Sequence, residues 1–262
     1  MHGLMMDTPL LISSIVEHAD INFHDREIVS VTGEGSIHRY TYGDCFKRVR
    51  KLANALSRLK LSEGDRIATI AWNDYRHLEA YYAVGGAGYV CHTINPRLFP
   101  EQIVFMINHA EDKWLMIDPL FIPLIEKLVP QIPNVKGFIV MGDAESAKDT
   151  NLDNVIAYEE LIKNESDQYE WPLMDEKTAM GLCYTSGTTG DPKGVLYNHR
   201  AMVLHAFALI APDAMNLSNR DCILPVVPLF HVNSWGSPYG AMMVGAKIVY
   251  PCLLYTSDAA DE

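Results

Sequence analysis

Between Thr41 and Met141 the chain alternates short apolar runs with amphipathic ones, and this alternation limits its possible folds more than any other feature. Thr41-Tyr-Gly-Asp44 reads as a capping box that opens a helix. Behind it, Phe46, Val49, Leu52, Ala53, Leu56 and Leu59 recur at helical spacing, with Lys and Arg between them. Gly64-Asp65 marks a turn, and Arg66 to Ala71 reads as a buried strand. A second helix carries Leu78, Tyr81, Tyr82 and Val84 and ends at Gly85-Gly86-Ala87-Gly88. Tyr89 to Ile94 is a further strand, closed by Asn95-Pro96. The pattern repeats as helix over Pro100 to Ala110, strand over Trp114 to Ile117, helix over Leu120 to Leu128 and strand over Gly137 to Met141. Strands separated by helices pair in parallel, so the expected class is α/β with a mostly parallel sheet.

Charge narrows the function. The 262 residues carry a formal charge of -12, which offers no global attraction to nucleic acid or anionic lipid. An anionic ligand must then be held by a local set of donors. The five cysteines, Cys45, Cys91, Cys183, Cys222 and Cys252, form no C-x-x-C pair and read as reduced, which suits a cytoplasmic protein. The start lacks a basic region followed by a long apolar run, so no signal peptide is expected. The longest nearly apolar stretch, Ala201 to Pro212, is interrupted by His205 and is too short to span a bilayer. A soluble protein is expected, and a homodimer is left open.

From Gly142 to Glu176 the chain turns acidic and polar, and reads as a solvated connection with one short helix near Tyr158 to Lys163, marking a subdomain joint. His109, Asp112 and Asp118 are too scattered for a metal site. Residues 252–262 can be encoded by a nucleotide string that matches, in one frame, a transposase adapter used for DNA sequencing libraries. They are expected to be a non-native tail behind residues 1–251.

The chemistry concentrates in Tyr184-Thr-Ser-Gly-Thr-Thr-Gly-Asp-Pro-Lys-Gly194, which directly follows the strand-like run Ala179 to Tyr184. Gly187, Gly190 and Gly194 permit backbone geometries and close approaches that side chains would block. Thr185, Ser186, Thr188 and Thr189 offer four hydroxyls, successive amides can cup phosphate oxygens, and Lys193 adds a full positive charge. It is not a Walker A loop, because Lys193 follows Pro192 and precedes Gly194. Gly85-Gly86-Ala87-Gly88 is not a dinucleotide fingerprint either: its spacing is wrong and a strand follows it.

The loop tract resembles the signature of the adenylate-forming superfamily: acyl-CoA synthetases, luciferases and peptide-synthetase adenylation domains. The resemblance runs from about Pro9 to Pro251 and includes Asn95-Pro-Arg-Leu-Phe-Pro-Glu-Gln-Ile103 and Pro228-Leu-Phe-His231 in family order. The version beginning His92-Thr-Ile-Asn is most similar to medium-chain fatty acyl-CoA ligases and to methylmercaptopropionate-CoA ligases. It implies the layered α/β sheets of the large N-terminal AMP-binding domain, incomplete at its C-terminal side. It also implies a two-step reaction, in which a carboxylate attacks the α-phosphorus of ATP and coenzyme A then displaces AMP. In that family the loop (here Thr185 to Gly190, Lys193 and Gly194) holds phosphates, and its first threonine, matching Thr185, helps hold Mg²⁺.

His231 resembles the family's residue beside the carboxylate and α-phosphate, so a catalytic role is implied for it. Trp235, four residues on, would share its face if a helix starts here, giving the acid an aromatic wall. Where amino-acid-activating members place an Asp after the Phe, His231 stands, so a plain carboxylic acid without an ammonium group is expected. No Tyr-Gly-x-Thr-Glu tract follows, and the family's ribose-binding Asp and C-terminal catalytic Lys are absent from these residues. The chain by itself is therefore expected to be inactive. A non-catalytic nucleotide-binding module and a luciferase-like oxidation are the alternatives.

Overall fold

A strand can rejoin its sheet in parallel only through a crossover, and the helices expected between residues 66 and 141 serve that purpose. The computed structural model describes residues 1, 3–33, 35–185 and 192–251. The chain opens with helix α1 (Ile12–Phe23) and a hairpin of β1 (Glu27–Val31) and β2 (Ile37–Thr41), none of which the alternation signalled. Helix α2 (Tyr42–Ser57) follows without a gap. Its capping box forms as expected: the Asp44 N–H donates to Thr41 Oγ1 at 3.2 Å, and Asp44 Oδ2 accepts from the Thr41 N–H at 3.3 Å.

Strand and helix then alternate as β3 (Arg66–Ile70), α3 (Tyr75–Gly86), β4 (Val90–Thr93), α4 (Pro100–Ala110), β5 (Trp114–Ile117), α5 (Ile122–Leu128) and β6 (Gly137–Val140). The expected helix over Leu120 to Leu128 begins as a 3-10 turn at Pro119–Phe121. Strand β7 (Val155–Ala157) and helix α6 (Tyr158–Ile162) come next. Beyond them lie β8 (Ala179–Thr185), β9 (Lys193–Asn198), α7 (His199–Ile210), β10 (Cys222–Ile223), α8 (Ser237–Val244) and β11 (Lys247–Tyr250). Asn198 caps α7, its Oδ1 accepting from the Ala201 N–H at 2.7 Å.

Seven strands form one sheet in the order β7-β6-β5-β3-β4-β8-β9, parallel except for β9. Four form another, β10-β11-β1-β2, which joins the two ends of the described chain. Side chains alternate along the large sheet: Ile67 and Met116 enter one core, Ala68, Leu115 and Ile117 the other. The first core also takes residues of the small sheet and of α1, α2, α3, α7 and α8, and the second is closed by α4 and α5. No described helix is long and apolar enough to cross a membrane.

The acidic segment needs a correction. It is more than a solvated connection, because β7 pairs in parallel with β6 and Glu159 anchors a polar network. Arg48 on α2 donates to Glu79 at 2.8 Å and, in bidentate fashion, to Glu159 at 2.9 and 3.0 Å. Arg76 donates to Glu159 at 2.8 Å, and the Tyr158 hydroxyl donates to Glu79 at 2.6 Å. Glu79 is fully buried, so removing it would leave the buried Tyr158 hydroxyl without its acceptor and Arg48 Nε without its partner, with Glu159 alone facing the guanidinium. Four cysteines, Cys45, Cys91, Cys183 and Cys222, are free thiols, and Cys252 lies outside the described residues.

Two stability predictions follow from these buried groups. Glu79→Ala should lower the free energy of unfolding by about 3 kcal/mol in urea titration, the scale for breaking one side of a buried ion pair. The second concerns His77, which bonds Thr69 Oγ1 at 2.9 Å and the Trp72 carbonyl at 3.0 Å inside the core. Burial pushes its ring down to about 4 from an ordinary 6.5. Above that ordinary value the ring is neutral in folded and unfolded chains alike. Between pH 6.5 and 4 only the unfolded chain takes up the proton, so stability falls as pH falls through that window, by roughly 3 kcal/mol. Urea midpoints across this range, compared with those of His77→Gln, should show the slope diminished in the variant.

Candidate functional site

In an open parallel sheet, ligands gather at the carboxyl ends of the strands. Strand β8 lies against β4 with Thr93 opposite Cys183, so the ends of β4 and β8 face the same way. On its other side β8 pairs antiparallel with β9, with Tyr184 opposite Gly194 and Thr185 opposite Lys193. The strands on either side of the glycine-rich tract are thus antiparallel partners, and Lys193 opens the second of them. Ser186, Gly187, Thr188, Thr189 and Gly190 lie outside the described residues. Among the described residues the Thr185 hydroxyl makes one long contact, donating to the Lys193 carbonyl at 3.5 Å.

The root of the hairpin is held by Tyr184. Burial keeps its phenol protonated, raised to about 12, and it meets Nδ1 of His109 at 2.6 Å. Its ring packs beside His92, with centroids 5.2 Å apart. Across the ladder a Cβ on Gly194 would lie 3.1 Å from the Tyr184 ring and 3.2 Å from Leu182, so glycine leaves room for the ring. Beneath them His92 Nδ1 and Asp112 Oδ2 form a fully buried 2.8 Å pair, and burial pushes the Asp112 carboxyl up. His109 supports Tyr184 directly and Asp112 does so through His92, residues whose spacing was read as too scattered for a metal. Among the described residues no cluster of three or more His, Cys, Asp or Glu could hold one. The sequence contained the residues of this support but no spacing that would pair them.

His231 ends a turn, its N–H donating to the Pro228 carbonyl at 3.0 Å. After it the backbone runs left-handed, with φ of 48°, 49°, 50° and 54° at Val232, Asn233, Ser234 and Trp235. The expected right-handed helix start is therefore corrected: α8 begins only at Ser237, and the spacing of four no longer places Trp235 beneath His231. Trp235 is 57% exposed and lines a separate cavity with Leu224 and Val226. His231 instead shares a cavity of about 290 Å³ with Thr185, Tyr184, Thr93, Cys183 and Phe230. The structure brings together Thr185 and His231, with Lys193 beside Thr185 across the ladder.

Thr93, Cys183 and Asn233 form a polar node at the floor, unmarked in the sequence. Thr93 Oγ1 and Cys183 Sγ lie 3.2 Å apart, and the thiol donates to Asn233 Oδ1 at 3.2 Å. Burial raises the thiol, so it stays protonated and acts as a donor rather than a nucleophile. The cavity thus offers hydroxyl and imidazole groups at its rim and apolar walls from Leu98, Met106 and Val232. It suits a ligand with an anionic head.

Comparison with known proteins agrees with this geometry. The family model described as AMP-binding enzyme matches residues 16–257. A medium-chain-fatty-acid–CoA ligase of Ectopseudomonas oleovorans is 55% identical over 251 residues, 96% of this chain and 46% of the relative. A 3-methylmercaptopropionyl-CoA ligase of Ruegeria lacuscaerulensis is 51% identical over 251 residues, 96% of this chain and 47% of the relative. The chain thus spans about half the length of the curated relatives it matches. Among solved structures, an anthranilate CoA ligase in complex with anthranoyl-AMP superposes with a TM-score of 0.82 at 20% identity. That match covers 95% of this chain and 46% of the other, and it shows a shared fold. With the layered α/β sheets and the family match in agreement, this chain belongs to the AMP-binding enzyme family.

Proposed function

We propose that this chain is the phosphate-loop part of a ligase that activates a carboxylic acid with ATP and passes the acyl group to coenzyme A. The observation that carries the reading is the cavity shared by Thr185 and His231. The first step brings two anions together, a carboxylate and a polyphosphate. Catalysis must therefore come from positioning and charge neutralisation. Lys193, at the mouth of the hairpin, offsets phosphate charge. His231 presents a ring N–H to the carboxylate and the α-phosphate, so the two anions meet beside a donor rather than beside each other.

Mg²⁺ fits this donor set. The exposed Thr185 hydroxyl is a hard oxygen whose one described contact is long, and the lack of a described carboxylate cluster suits an ion held mainly by phosphate oxygens. When bound, the ion would neutralise phosphate charge. No acidic side chain lines the described cavity, so an ammonium group would go unpaired there, which favours an acid without one. Given the two relatives named above, a medium-chain fatty acid or 3-methylmercaptopropionate is the proposed substrate. The proposed location is cytoplasmic, where ATP and coenzyme A are supplied.

A nucleotide-binding module without catalysis is the second reading, favoured by the chain spanning about half of its relatives. Calorimetry should find that the 262-residue chain binds Mg·ATP. Lys193→Ala should weaken binding by about tenfold, the value of one charge-assisted contact. No binding by the wild-type chain would sink the proposal. The chain alone is expected to form no acyl hydroxamate from ATP, acid and hydroxylamine, and product formation would overturn that expectation.

A further inference from the structure

Residues 224–231, which lead to His231, belong to no helix or strand. Their backbone polar groups must find partners elsewhere, since buried N–H and C=O groups are costly to leave unmade. One side chain meets three of them. Asn73 Oδ1 accepts from the Leu229 N–H at 2.6 Å, while its Nδ2 donates to the Pro225 and Val227 carbonyls, each at 3.2 Å. Asn73 is almost completely buried. It sits three residues past the end of β3, where the sheet changes direction: α3 leaves toward the first core, α4 and α5 toward the second.

We infer that Asn73 is a positioning residue that hangs the His231 segment from the sheet and so sets where the imidazole stands relative to Thr185. This rests on the reading of their shared cavity as the meeting place of two anions. The amide is suited to the task because one planar group supplies an acceptor and two donors at once. Leucine matches its size and supplies neither. Aspartate would turn a carboxylate toward two carbonyl oxygens. Two other contacts complete the suspension: the Tyr81 hydroxyl donates to the Leu229 carbonyl, and Ser234 Oγ donates to the Val227 carbonyl at 2.9 Å. Leu229 is thereby held through both backbone groups, two residues before His231. The anchored Leu229 lies inside the Pro228–His231 turn. Trp72, next to Asn73, packs against Phe230 with ring centroids 5.9 Å apart, so the same corner of the sheet fixes the segment sideways.

The test combines amide hydrogen exchange with the imidazole NMR signal of His231 in the 262-residue chain. In the wild type, the Leu229 amide should be protected at least ~tenfold more than that of Leu224, although neither lies in a ladder. In Asn73→Leu, Leu229 exchange should rise by about tenfold while Ile67 and Leu115 in the sheet keep theirs. In the same variant, the Mg·ATP concentration that half-saturates the His231 signal should rise by roughly tenfold. Loss of stability alone would loosen the sheet amides too and would leave the His231 response intact in the folded fraction. Should Asn73→Leu not fold, Asn73→Ser serves with the same expected directions. Three results would overturn the inference: an unprotected wild-type Leu229 amide, exchange unchanged by the substitution, or a loosened Leu229 with an unaltered His231 response. A wild-type His231 signal indifferent to Mg·ATP would overturn the ligase reading instead, and Leu229 exchange would then decide the anchoring by itself.

Discussion

The parallel pairing of β8 with β4 is the contact on which the site depends. It joins Cys91, His92 and Thr93 to Gly181, Leu182 and Cys183, residues about ninety positions apart along the chain. A parallel ladder forces both carboxyl ends to one edge of the sheet. Asn95 and Pro96 after β4 and Thr185 at the end of β8 therefore lie at the same edge. Were β8 to run the other way, Thr185 would lie at the far edge from Thr93. The β8–β9 hairpin adds rigidity, because Tyr184 is gripped by His92, His109 and the space left at Gly194.

Charge is handled by separation. The chain is acidic overall, yet the described cavity wall contains no carboxylate and faces inward with hydroxyl, imidazole and thiol groups. The acids that could repel an anion are spent elsewhere. Glu79 and Glu159 are tied to Arg48 and Arg76 at the junction of α2, α3 and α6, and Asp112 is locked against His92 beneath Tyr184. These pairs tie α2, α3 and α6 together and Asp112 to β4, and they leave Lys193 without an acidic neighbour among the described ion pairs. Local donors can then dominate the field at the site even though the net charge has the wrong sign.

Local signals read well where local physics decides. The capping box at Thr41, the cap at Asn198 and the helix Pro100–Ala110 each arise within one turn of chain, and each formed where its residues indicated. The buried strands β3, β5 and β6 were legible because parallel strands covered on both faces become continuous apolar runs. Less legible were β1, β2, β10 and β11. Their pairing unites residue 28 with residue 248, and nothing within either segment names the other. The acidic stretch misled for the same reason: Glu159 looks solvated in sequence and becomes an anchor only when Arg48 and Arg76 arrive from α2 and α3.

The sequence by itself determined the class of the fold and the loop tract, since strand–helix alternation and the Thr185–Gly194 tract are local patterns. Tertiary structure alone decided which of the residues after the loop would join it. Four left-handed residues from Val232 to Trp235 turn the indole outward, a conformation that L-residues adopt at a cost and that no propensity would assign here. Long-range hydrogen bonds from Asn73 and Tyr81 hold the residues just before it, and Ser234 ties the segment back to Val227. His231 consequently enters the cavity beside Thr185, and Trp235 does not.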